Sequence, residues 1–342
     1  KIEANQDRCV QMFSADAQLV FRCLMGSMID QAVEVYRASP VMAGWSPLKQ
    51  GDGEWLYKQI DRRGRKVLEY DHQGHEFTAH TEEAYSDVTD VEIALAVKPA
   101  GCTDEKFNQW KDECRRFNAE VGKVGYLFGD GTVVNKHHPF VLASGRFDTF
   151  YRNSLTTLYW AILGLLEMGY TPEEVIAKIS LHVGGDDILG TVPSNFDLQK
   201  FMSCLRKYGL RLHKEGLHDI SAGFEFFSWK FRKSPYGQIV WLPTRFAKHV
   251  ENLRYTKLSD RPSALVSHMM NWAHSEPHFN FFHTLFMDGH VTDQQAYDIS
   301  LVPDRQDYLC HLRGDEGLVR NPYHPALSFK PDLDVFGDCI VA

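Results

Sequence analysis

The spacing of hydrophobic positions changes along the chain, and each change marks an element. Phe13 to Tyr36 carries mostly helical spacing, and Thr103 to Val121 places Phe107, Trp110, Cys114 and Phe117 on the stripe of an amphipathic helix. Arg65 to Tyr70 reads as a short strand ending at Asp71, and Tyr126 to Val134 as a hairpin turning through Gly129-Asp130-Gly131. Ser144-Gly145 precedes a long helix reaching about Gly169, and Thr171-Pro172 opens another with a capping residue and a proline at its first position. Ile179 to Val183 and Ile188 to Val192 are apolar strands joined by Gly184-Gly185-Asp186-Asp187. Asp197 to Tyr208 is helical, Leu210 to His213 and Phe224 to Arg232 are strand-like, and the remainder is mostly helical with loops. A few strands among many helices predict an α+β fold.

Composition adds less than charge distribution does. With 44% hydrophobic and 24% charged residues, the 342-residue chain has the make-up of a globular protein with a sizeable core. The longest apolar run, Leu158 to Leu166, is far short of a bilayer-spanning helix. Seven scattered cysteines with no C-x-x-C pair suggest neither a disulfide framework nor a zinc site and fit a reducing compartment. The net charge of -8 argues against a uniformly basic nucleic-acid binder. Resolved along the chain, however, residues 71–199 carry a net -10 and residues 200–257 a net +8. One reading is two solvated faces of opposite sign; the other is carboxylates that hold a divalent metal beside a basic segment that grips a polyanion.

The candidate chemistry lies in Gly184-Gly185-Asp186-Asp187 and in Ser144-Gly145-Arg146-Phe147-Asp148-Thr149-Phe150-Tyr151-Arg152-Asn153. The first puts adjacent carboxylates at a hairpin tip, hard oxygen ligands suited to Mg²⁺, although the same residues also make an ordinary tight turn. In the second, Thr149 and Asn153 lie four apart on one helix face after a Ser-Gly loop, either aimed together at one ligand or pointing to water.

Together these segments resemble the palm of the viral RNA-dependent RNA polymerases, whose B motif reads Ser-Gly-x-x-x-Thr-x-x-x-Asn and whose C motif reads Gly-Asp-Asp, in this order. The positive-strand viruses are the group the resemblance suggests. It implies a right-hand polymerase: a small antiparallel sheet flanked by helices, with partial fingers over residues 1–65, palm over 66–233 with a fingers insertion at about 85–140, and a mostly helical thumb over 234–342. The chain opens on Lys1 without a signal peptide, so it reads as a piece of a longer polyprotein from which much of the fingers is missing. An upstream metal-binding Asp is also implied. Asp71-His-Gln-Gly74-His-Glu76 supplies it in Asp71, with Glu76 where the family commonly has a second Asp. Asp87 and Asp90 are rival ligands.

The resemblance further implies Mg²⁺ or Mn²⁺ on Asp71, Asp186 and Asp187, the last as a weaker or shared ligand, and NTPs bound by Arg8, Glu76, Ser144, Gly145, Thr149 and Asn153. It implies a general acid at Lys214, with Lys207 as its rival, and RNA along Lys230, Arg232, Arg245, Lys248 and Arg254, with Lys233 among the same basic residues. Phe224 to Trp229 is similar to the family's primer-grip hairpin, and Lys1 to Met12 to its basic F motif. The partners implied are template and nascent RNA, NTPs and other viral replication proteins, in a membrane-associated replication complex in the host cytoplasm, with no transmembrane segment in this chain. A reverse transcriptase and a catalytically inactive palm-derived RNA-binding protein are the alternatives.

Overall fold

The structure, a computed structural model, describes residues 14–62, 64–128, 130–140, 142, 145–290 and 304–315. Arg8 and Ser144 lie outside the described residues, as do the side chains of Glu76 and Lys214. The chain divides into two compact units, one formed by Lys1–Trp45 with Arg62–Ile220 and the other by Ser46–Asp61 with Ser221–Ala342.

The first unit is built on a four-stranded antiparallel sheet in the order β4-β5-β1-β6, with β1 at Arg65–His72, β4 at Ser180–Gly184, β5 at Asp187–Pro193 and β6 at Leu212–His218. Period-two alternation turns Leu68 and Tyr70 of β1 into the core, where they join Val183, Ile188 and Val192. Helices cover that face: α1 (Ala15–Glu34), α4 (Glu82–Leu95), α5 (Asp104–Gly122), α6 (Thr149–Glu167), α7 (Pro172–Lys178) and α8 (Leu198–Lys207). The contact between α6 and α8 depends on Gly164, where a Cβ would stand 2.8 Å from the Leu205 side chain. A single short turn of helix, α3 (His75–Thr78), follows β1, and a separate hairpin pairs β2 (Lys123–Leu127) with β3 (Val133–Phe140).

Local signals explain most of these boundaries. Thr103 caps α5 through its side chain, Asp197 caps α8, and Thr171 with Glu174 completes a reciprocal capping box on α7. Several boundaries differ from the pattern, and in two the cause is plain. The long helix starts at Thr149 rather than directly after Gly145, because Gly145 to Asp148 form a turn held by side chains from elsewhere in the unit. The strand expected over Leu210 to His213 runs instead from Leu212 to His218, since its pairing with β1 supplies backbone partners that the polar residues Lys214 and Glu215 do not advertise.

The second unit contains α2 (Asp52–Ile60), a three-stranded antiparallel sheet β7-β8-β9 (Phe224–Phe226, Trp229–Lys233, Ile239–Pro243), and helices α9 (Phe246–Tyr255), α10 (Arg261–Asn271), α11 (Glu276–His290) and α12 (Arg305–Arg313). The stretch expected as strand over Phe224 to Arg232 is a hairpin. It reverses at Phe227 and Ser228, whose φ values of 53° and 59° give the left-handed pair a two-residue turn needs. Its core stacks Tyr57, Phe224, Phe231 and Trp241, and the Trp241 indole donates to Pro47 O at 3.1 Å. Gly53 is required there, because a Cβ would lie 2.6 Å from the Trp241 ring. Among the described residues no helix is long and apolar enough to cross a membrane.

Candidate active site

The sheet of the first unit brings the acidic residues together by register. Asp71 on β1 lies directly opposite Asp187 on β5, and Asp187 in turn faces Gly184 on β4. Directly paired residues on one sheet face have Cβ atoms about 4.5–5.5 Å apart, close enough for like charges to repel. The strand partner of Asp71 is thus Asp187 rather than Asp186, which stands next to it in the turn and is exposed. His213 of β6 pairs with Asp71 from the other side, a neighbour with no sequence signal because it follows only from strand order. Asp87 and Asp90 lie on α4, where Asp87 accepts from the Tyr159 hydroxyl and Asp90 pairs with Arg115, so they are not in this row. The donor set at the strand ends consists of carboxylate oxygens, which suits Mg²⁺ or Mn²⁺, and a cation would relieve the repulsion across the strands. Among the described residues no group of three or more His, Cys, Asp or Glu side chains is placed to hold a metal ion together.

Helix α6 carries the turn that presents Asp186. Gly185 takes a φ of 64°, and its backbone is held on both sides: its N–H donates to Ser154 Oγ at 2.8 Å, and its carbonyl accepts from Thr157 Oγ1 at 2.7 Å. The Ser154 hydroxyl donates to Phe150 O at 2.7 Å, which turns its lone pairs toward Gly185. Both hydroxyls are fully buried. Since the Thr157 proton goes to Gly185, its oxygen accepts from His75 Nε2 at 2.9 Å.

The loop before α6 is equally well held. Arg146 and Asp148, both buried, form a two-pronged ion pair at 2.9 Å, and Arg146 also donates to Asn118 Oδ1 at 3.3 Å and to the Tyr85 hydroxyl. Gln18 of α1 accepts from Phe147 N at 2.9 Å and donates to Gly145 O. One turn later Arg152 meets Glu92 at 2.5 Å, with further bonds to Asn118 Oδ1, Thr89 Oγ1 and Tyr85 O, and its guanidinium sits 4.0 Å over the Tyr85 ring. Burial pushes the Glu92 carboxyl up to about 7, against the opposing pull of Arg152. These anchors were not legible in the sequence, because their partners are tens of residues away.

Thr149 and Asn153 share one face of α6, as their spacing requires, and both are half-buried. The Thr149 hydroxyl donates to Arg146 O at 2.8 Å, and Asn153 Oδ1 lies 3.1 Å from His80 Nε2. His80 ends a file of buried imidazoles: His72 to His75 at 5.1 Å and His75 to His80 at 5.2 Å between ring centroids, each edge to face. Burial lowers the His72 imidazole to about 4, and burial followed by the charges of His72 and His80 lowers His75. The basic candidates Lys230, Arg232, Arg245, Lys248 and Arg254 are all exposed, the first two on β8 and the last two on α9, with Arg245 at the start of α9.

In its fold, a small antiparallel sheet with helices on one face, the chain resembles solved viral RNA-dependent RNA polymerases. The chain is similar to the insertion-loop deletion mutant of the RNA-dependent RNA polymerase of a human picobirnavirus, with a TM-score of 0.62 and 14% identity over 94% of this chain and 60% of that one. It is also similar to the RNA-dependent RNA polymerase of a human picobirnavirus, with a TM-score of 0.61 and 14% identity over 88% of this chain and 57% of that one. The chain therefore spans about three fifths of the length of those polymerases. No protein-family profile and no curated protein matches it.

Proposed function

We propose that this chain carries the palm of a viral RNA-directed RNA polymerase, transferring nucleotides from NTPs to an RNA 3'-hydroxyl under the direction of an RNA template, for replication and transcription of a viral genome. The observation that carries the proposal is the pairing of Asp71 with Asp187, beside a Gly185-Asp186 turn whose backbone is held by the helix that bears Thr149 and Asn153. In a positive-strand virus the partners would be template and product RNA and other viral replication proteins on host cytoplasmic membranes. Residues 66–233 would form the palm, with a fingers insertion at about 85–140, between partial fingers over 1–65 and a thumb over 234–342.

Asp71, Asp186 and Asp187 would hold Mg²⁺ or Mn²⁺. When bound, such ions activate the 3'-hydroxyl and neutralise charge on the triphosphate in the in-line transition state. Asn153 and Thr149, with Gly145, Ser144 and Glu76, would surround the ribose, favouring NTPs because a site built to bond a hydroxyl is left with unpaired polar groups when the hydroxyl is absent. Arg8 would neutralise phosphate charge and Lys214 would protonate the departing pyrophosphate. Lys230, Arg232, Arg245, Lys248 and Arg254 would follow the RNA backbone.

The test is primer extension on an RNA template by the protein that contains this chain, with NTPs and with dNTPs, in the presence of Mg²⁺. Extension with NTPs is expected, falling to background in Asp186→Ala and in Asp71→Asn. If Asp186→Ala extends as well as wild type, the two-metal assignment is wrong. Preference for dNTPs would point to a reverse transcriptase, and RNA binding without extension to an inactive relative.

A further inference from the structure

His75, inside the Asp71–Glu76 motif, and His80, just after it, have been given no role so far, yet they reach the helix of the Ser144–Asn153 motif at two positions one turn apart. His75 bonds Thr157 and also interacts with Asn153, and His80 bonds Asn153 at 3.1 Å; Asn153 and Thr157 lie on the same face of α6. Both imidazoles come from the segment that directly follows Asp71, and both are buried, at 3% and 2% exposure. The direction at His75 is fixed by its neighbours, and that at His80 follows from the placement of the Asn153 amide. Thr157 gives its proton to Gly185 O, so His75 must present Nε2–H to the Thr157 oxygen. His75 in turn packs edge to face against His80, leaving that ring little room to turn. Asn153 directs Oδ1 at His80, so His80 also presents Nε2–H, and the amide edge that remains to Asn153 is the Nδ2 donor pair.

We propose that His80 is a positioning residue for sugar selection: by holding Asn153 Oδ1 it orients the amide so that Nδ2 donates to the 2'-hydroxyl oxygen of an incoming ribonucleotide. The inference rests on the polymerase reading and deepens it. A free Asn side chain can turn either edge of its amide to a ligand, and the rotation is lost on binding. One already bonded to a buried, immobile imidazole presents a single edge. A 2'-deoxynucleotide has no oxygen there and gains nothing from the arrangement.

The experiment compares wild type, His80→Phe and His80→Gln in the protein that contains this chain. The readouts are kcat/KM for ATP and for dATP in primer extension, with thermal melting as the check on folding. His80→Phe keeps a flat ring but has no donor; His80→Gln keeps an N–H for Asn153. The ATP-to-dATP ratio is expected to fall about tenfold in His80→Phe, through loss of ATP rather than gain of dATP, and to stay within about threefold of wild type in His80→Gln. In an Asn153→Ala background, His80→Phe is expected to change the ratio no further. A folded His80→Phe with the wild-type ratio would overturn the proposal, as would equal ratios in the two variants, or failure of both to fold, which would make His80 a packing residue. A wild type that incorporates neither nucleotide is a different result: it removes the polymerase reading and, with it, this proposal.

Discussion

Ser154→Ala isolates the support of the Gly-Asp-Asp turn from its chemistry. In wild type the Ser154 hydroxyl donates within its own helix to Phe150 O and accepts from Gly185 N–H. The first bond is ordinary back-bonding to the residue four earlier, and its loss costs little. The second is different, because Gly185 is buried and its N–H has no water to turn to. An orphaned buried donor costs about 1–3 kcal/mol, which lowers the free energy of opening the turn by that amount. At about 1.4 kcal/mol per factor of ten, native-state hydrogen exchange over residues 184–187 is expected to speed up about 5- to 150-fold. Thr157→Val removes the donor to Gly185 O and also leaves the buried His75 Nε2–H without its acceptor, so it is expected to destabilise the unit as well, by a comparable amount. Turnover should follow the loosening: a displacement of about 1 Å in the group carrying Asp186 is enough for about a 100-fold loss. Exchange in Ser154→Ala within about twofold of wild type would refute this account of the turn.

Other consequences are open to direct measurement. Arg152→Met strands Glu92 among buried groups and is expected to cost about 3–5 kcal/mol in urea unfolding at pH 8. That cost should shrink at pH 5.5, because without Arg152 the Glu92 carboxyl rises further and protonates; a pH-independent cost would show that the pair is not the cause. His182 is lowered to about 4 by burial, followed by Arg62, and His274 to about 3 by burial, followed by Arg313 and Arg305, whereas both titrate near 6.5 when unfolded. The unfolded chain therefore binds more protons below pH 6.5. Stability should fall as pH drops from 6.5 toward 4, by about 2 kcal/mol per histidine at pH 5, and His182→Phe should flatten the melting-temperature profile. For the basic residues of β8, Lys230→Ala and Arg232→Ala are each expected to weaken single-stranded RNA binding and to reduce the salt slope by about 0.7; an unchanged slope would remove them from the RNA path.

The chain announced its elements well where periodicity and caps were strong. The helix over Asp104–Gly122 with Thr103 as its cap, the capping box at Thr171, and the two apolar strands around Gly185-Asp186 were all legible, because each signal lies within a few residues of the structure it sets. β6 and β9 were harder. Lys214 and Glu215 of β6 and the short run Ile239–Pro243 carry little pattern of their own and become strands through pairing with β1 and β8.

The candidate site divides in the same way. The sequence alone determined that Asp71 lies near the end of a strand, that Asp186 and Asp187 share a hairpin, and that Thr149 and Asn153 lie on one helix face, since each follows from backbone geometry over short range. Only the tertiary structure decided that Asp71 pairs with Asp187, that Ser154 and Thr157 hold Gly185, and that His75 and His80 reach Thr157 and Asn153. Strand order, register and buried hydrogen bonds join residues 28 to 116 positions apart in the chain, and no local pattern records which distant partner a buried polar group will find.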